Sequence, residues 1–151
     1  MAMYRRFAMM LLFSYVIMYA AMYVNVSAFD HIYLSTTRMY MAFIMVCPMA
    51  LLMLGMMRSM YNNRRLNSLI TVTALLVLIL AIVGLRTQAF IADREYMRGM
   101  ISHHSSAILT SSHATITTPA VKKLADGIIA SQQKEIAEMQ HLLDSLGHAK
   151  R

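Results

Sequence analysis

Tryptophan is absent from this sequence of 151 residues, and cysteine occurs once, at position 47. A lone cysteine inside an apolar run closes no intramolecular disulfide, so a cross-linked scaffold is excluded and the redox compartment is left open. Carboxylates are scarce too. From Met1 to Arg86 there are seven Arg against the single Asp30, whereas from Thr87 onward seven Lys or Arg face six Asp or Glu. A net charge of +7 on one domain would suggest a nucleic-acid partner. Divided this way, with basic residues at the ends of apolar runs, it does not.

What the chain does hold is methionine, 17 of them, and three apolar stretches, roughly Phe7–Val24, Tyr40–Met57 and Ser68–Leu85. Each, at about twenty residues, is long enough to cross a bilayer core. The expected organisation is a three-helix transmembrane region over 1–86 and a small water-exposed module over 87–151. Arg5, Arg6, Arg58, Arg64 and Arg65 flank the apolar runs on one side. The positive-inside rule then puts the N-terminus and the second loop in the cytoplasm, and the C-terminal module outside it. A bacterial inner membrane with a periplasmic module is the expected setting. A cleaved signal peptide is the rival reading of the first run, since Val26-Ser27-Ala28 loosely resembles a cleavage site. The run is longer than a usual h-region, which favours a retained anchor.

The second run carries a stripe of Met41, Met45, Met49 and Met53, continued by Met56 and Met60, with Pro48 beside it. Flexible thioethers filling a helix interface explain it most simply. A track for a soft ion such as Cu(I) is the sharper alternative. Three spans with Met-x-x-x-Met in the second are similar to the eukaryotic copper transporter family. Two features depart from that family: the orientation expected here is opposite, and the third span has Ala81 and Gly84 instead of Gly-x-x-x-Gly.

In the module, the periodicity predicts one helix from Ala92 to about Thr117 and another from Pro119 to about Leu146. Thr118-Pro119 forms the junction, with Pro at the first helical position. Asp93, Met97, Met100, His104, Ala107, Ile108 and Ser111 share a face of the first, with His103 at its edge. Val121, Leu124, Ala125, Ile128, Ile136, Met139, Leu143 and Leu146 share a face of the second, with Gln132 and Glu135 inside the apolar arc. Folding the hairpin at residue 118 brings His104 level with Gln132 and Gln133, and His103 level with Glu135. Met97 and Met100 then come level with Met139 and Ile136. Polar groups in such a seam cost free energy unless partnered. A metal ion is one partner; a buried network in which Glu135 holds a histidine is the other. His113 and His141 point away on the wheel.

Two motifs stand at this seam: Tyr96-x-x-x-Met100-x-x-His103-His104-x-x-Ala107 and Gln132-x-x-Glu135-Ile136-x-x-Met139. They resemble, in order and spacing over roughly Asp93 to Leu143, the Domain of Unknown Function 305 family. The resemblance implies an all-α, ferritin-like helical fold, often periplasmic or membrane-tethered and in some members tied to copper handling. It implies ligand roles for Met100, His103, His104, Glu135 and Met139. The chain departs at Thr110, where many members have a further Met.

The expected function is therefore a membrane-anchored copper-binding protein, not an enzyme, that sequesters or transfers copper outside the cytoplasm. Its candidate ligands are Met100, His103, His104, Glu135, Met139, Met97, Gln132 and Asp93. Thioethers favour Cu(I), while imidazole and carboxylate also suit Cu(II); zinc seldom takes Met. The alternatives are a structural subunit of a membrane complex and a ferritin-like di-iron oxidase. The oxidase would need Glu-x-x-His on two helices, and only Glu138-x-x-His141 is present. A lone hairpin is a marginal core, so a homo-oligomer that pairs two hairpins into a four-helix bundle is expected. The other expected partners are the lipid bilayer and the copper ion.

Overall fold

The computed structural model describes residues 2–148 and is helical, with no strand among the described residues. The helices are α1 (Ala2–Ala21), α2 (Thr36–Met56), α3 (Arg64–Thr87), α4 (Asp93–His113) and α5 (Pro119–His148), with a single 3-10 turn at Phe29–His31. They fall into two compact units. One comprises residues up to Met22 with Thr37–Phe90; the other joins Tyr23–Thr36 to the residues from Ile91 onward. The segment 23–36, adjacent in sequence to the apolar helices, thus packs with α4 and α5. A linear division at residue 86 does not include it.

In the first unit, α2 and α3 are long and apolar enough to cross a membrane. Three such spans were expected, and these are two of them. The remaining apolar helix, α1, carries Arg5 and Arg6 in its opening turns and is not one of the helices that are apolar enough over a long enough stretch to cross a membrane. Leu69, Val72, Leu76, Ile79 and Leu80 on α3 all point outward, an apolar surface that water would disfavour. At one end of the unit Phe7, Ala50, Leu54 and Tyr61 form a buried cluster. There Tyr4 donates to Asn67 Oδ1 at 2.8 Å, and Asn67 Nδ2 donates to the Tyr61 carbonyl at 2.7 Å. Tyr15 meets Phe43 with ring centroids 4.5 Å apart, and the Arg38 guanidinium donates to the Met22 carbonyl. Pro48 lies inside α2, where it removes one helical hydrogen bond. Of the methionine stripe, Met41, Met45, Met56 and Met60 face outward, while Met53 packs on the Phe7–Tyr61 cluster.

The third apolar helix does not run on into α4. Gln88 adopts a left-handed conformation, and both its N–H and that of Ala89 reach the Gly84 carbonyl. This closes the helix with a left-handed cap in the usual manner, although the residue is not Gly. Phe90 also has positive φ, at 60°, so two left-handed residues, on either side of Ala89, separate the elements.

Gly84 has a second role. A Cβ there would lie 3.0 Å from the Tyr40 ring, whose hydroxyl donates to the Ala89 carbonyl at 2.8 Å. Gly84→Leu should therefore lower stability by about 1–3 kcal/mol through overpacking. Gly127 in α5 has open space around it, and Gly127→Ala should raise stability by up to about 1 kcal/mol through helix propensity. Thermal unfolding in detergent, followed by circular dichroism, should give these opposite signs.

Candidate metal site at the α4–α5 seam

The hairpin core consists of Met97, Ile101 and Ile108 from α4 and Ile136 and Leu143 from α5, with Tyr33, Ile129, Met139 and Leu146 packed around it. His104 is buried in this seam at 8% exposure. Its Nδ1 lies 2.9 Å from the Met100 carbonyl one turn earlier, and its Nε2 lies 2.6 Å from Glu135 Oε2. A carbonyl oxygen only accepts, so Nδ1 carries a hydrogen and Nε2 is the nitrogen presented to the carboxylate. Ser131, one turn before Glu135, donates to the other carboxylate oxygen at 2.7 Å. The Ser131 hydrogen bond, then that of His104 and its charge, hold the Glu135 carboxyl below the ordinary carboxylate range, with partial desolvation opposing them.

His104, not His103, faces Glu135, so the register differs from the expected one by about half a turn. The cause is the connection. α4 ends at His113, not near Thr117, and Ala114 is already extended. Residues 114–118 are non-helical and separate the end of α4 from the start of α5. The opening turns of α5 consequently overhang, with Val121, Leu124 and Ile128 exposed. Pairing of 104 with 135 also brings Met100 level with Met139, each one turn further along the seam.

The other predicted residues are distributed unevenly. Met97 is buried in the core, Met139 packs against it, and Met100 is half-buried. His103 is exposed, with its ring centroid 6.2 Å from that of His104. Gln132 is half-buried and lines an open groove on α5 with Leu124, Ile128 and Ser131. Asp93 is exposed in the first turn of α4. Among the described residues no three His, Cys, Asp or Glu side chains converge on one point. Among the described residues the seam thus joins one imidazole, His104, to one carboxylate, Glu135. Glu138, His113 and His141 are exposed, so the single Glu-x-x-His does not face α4.

A second polar cluster had no counterpart in the sequence reading. Ser102 and Ser105 on α4 are wholly buried, and both are served by segment 23–36. Ser105 Oγ accepts from the Ser27 N–H at 2.8 Å and lies 2.9 Å from both Ser27 Oγ and His31 Nδ1. Ser102 donates to the His31 carbonyl at 2.8 Å, and Thr36 donates to Glu95 Oε2 at 3.1 Å. Two small hydroxyls three residues apart, flanking the His103-His104 pair, were the available signal. Which segment covers them is a long-range property.

The profile of the family described as "Domain of unknown function (DUF305)" matches residues 51–147. The chain belongs to this family. The match begins well before Asp93 and takes in the end of α2 and all of α3. The chain is also similar to "Uncharacterized protein L153" of Acanthamoeba polyphaga mimivirus, with 42% identity over 107 residues, 70% of this chain and 68% of that protein. No solved structure matches.

The lowered pKa of Glu135 implies a direction for stability against pH. A carboxyl whose folded value lies below its unfolded one stabilises the fold above the ordinary carboxylate range. That contribution is lost as pH falls through the lowered value. Thermal midpoints should therefore fall more steeply on acidification for the parent chain than for Glu135→Gln. Ser131→Ala should give an intermediate profile.

Proposed function

We propose that this chain is a membrane-anchored copper-binding protein that sequesters or passes on copper through the α4–α5 seam. The observation that carries the reading is the orientation of His104. Its Nδ1–H is tied to a backbone carbonyl, which leaves Nε2 as the ligating nitrogen, and a carboxylate already stands beside it. Metal-binding histidines commonly have one nitrogen held in this way. Copper in place of the hydrogen between Nε2 and Glu135 would find Met100 and Met139 level with each other one turn along, and His103 beside His104. Thioethers select Cu(I), and the imidazole–carboxylate pair accepts Cu(II) as well.

In this reading α1 is a third span. Its start is tied to the α2–α3 turn by the Tyr4 bonds, its middle meets α2 through Tyr15 and Phe43, and its end approaches Arg38. A helix lying along α2 in this way crosses the same thickness. The arginine-rich end is then cytoplasmic, and the unit built from 23–36, α4 and α5 lies on the opposite side, the periplasm in a bacterial inner membrane. The overhanging Val121, Leu124 and Ile128 supply an apolar face on which two hairpins can pair into a ferritin-like four-helix bundle.

A second reading is favoured by one observation: the His104–Glu135 pair is satisfied without an ion. It then acts as a clasp for the hairpin in an accessory subunit of a membrane complex. Copper competition titrations separate the two. His104→Ala should weaken copper binding by at least about tenfold, and Met100→Leu or Met139→Leu should impair Cu(I) more than Cu(II). His113→Ala and His141→Ala should leave both unchanged. Unaltered copper affinity in every seam variant, with helicity intact, would leave the clasp as the function of the pair.

A further inference from the structure

The apolar unit contains seven arginines and not one Asp or Glu. No cationic side chain in it can therefore be neutralised by a carboxylate of the same unit. Two of these arginines, Arg58 just beyond α2 and Arg64 at the start of α3, line a cleft of about 560 Å³ with Leu54, Gly55, Asn62, Ser68 and Thr71. Both guanidinium groups are exposed. The cleft is built into the fold and is not formed by loose chain. Tyr61, in its wall, is buried beneath Phe7 and Tyr4, with ring centroids 5.4 and 5.3 Å away. Asn67 uses both ends of its amide to hold Tyr61 and Tyr4 in place. One end of the cleft is therefore cationic and rich in donors, and the other runs onto the side of two apolar helices at Leu54 and Thr71.

We infer that this cleft binds the phosphate headgroup of an anionic phospholipid, with Arg58 and Arg64 on the phosphate oxygens and the Leu54–Thr71 wall against the glycerol and upper acyl chain. A planar guanidinium matches a phosphate with two parallel hydrogen bonds. A free phosphate would use only the cationic end, whereas a lipid uses both, and α2 and α3 supply the bilayer setting. The inference rests on the membrane reading of those two helices and is independent of copper. The expected consequence is a retained lipid that holds the α2–α3 turn at the membrane surface.

Full-length protein in a neutral detergent, titrated with dioleoylphosphatidylglycerol, dioleoylphosphatidylcholine or inorganic phosphate, tests it by native mass spectrometry and thermal melting. Phosphatidylglycerol should give a discrete adduct and a raised melting temperature; the other two should not. Arg58→Gln or Arg64→Gln should weaken retention roughly fivefold, and the double variant roughly thirtyfold. Arg86→Gln, outside the cleft, should leave it unchanged. Arg58→Lys/Arg64→Lys should restore part of the binding, because charge returns without the fork. Equal retention of the two lipids, displacement by millimolar phosphate, or undiminished binding by the double Gln variant would overturn the assignment. Protein that is fully soluble without detergent would instead defeat the membrane reading beneath it.

Discussion

A buried imidazole has two nitrogens to satisfy, and leaving one unmet costs roughly 1–3 kcal/mol. His104 meets that requirement once within its own helix, at the Met100 carbonyl, and once across the seam, at Glu135. The first bond fixes the ring's rotation; the second fixes the level at which α5 passes α4. Packing follows from these two constraints. With 104 opposite 135, Ile101 is sealed, Met97 and Ile108 lie on either side of it, and Ile136 and Leu143 close against them. A slip of one helical turn would strand Nε2 and uncover part of this small core. The same pair that sets the register is the one on which the copper proposal rests.

The hairpin is not left to support itself. Two antiparallel helices of this length bury too little apolar surface for an independent core, and segment 23–36 supplies part of what is missing. Tyr33 packs on the core, and Ser27, His31 and Thr36 make hydrogen bonds to α4. Ser102 and Ser105 could not be wholly buried without those partners.

Charge divides the molecule as sharply as packing does. All seven of the chain's carboxylates lie at Asp30 or from Asp93 onward, within the unit that holds His104 and Glu135. The apolar unit has arginine alone, placed mainly at one end. No carboxylate of the same unit stands at that end, while the other unit pairs charge internally, as at Arg98–Glu95.

Composition and spacing alone determined the helical class, the apolar runs, the break at Pro119 and the motifs that carry the family resemblance. They also indicated that His113 and His141 lie outside the seam, because a helix turns by the same angle in any surroundings. Three matters were decided only by tertiary structure. Whether α3 continues into α4 depended on left-handed geometry at Gln88 and Phe90, neither of them a glycine, so no residue type announced it. That His104 and not His103 meets Glu135 depended on the path of the non-helical residues 114–118. The covering of Ser102 and Ser105 by a segment some seventy residues away was likewise beyond local pattern. Periodicity reports which way a side chain faces on its own helix; the identity of its partner is set by chain geometry between elements, where no repeating angle applies.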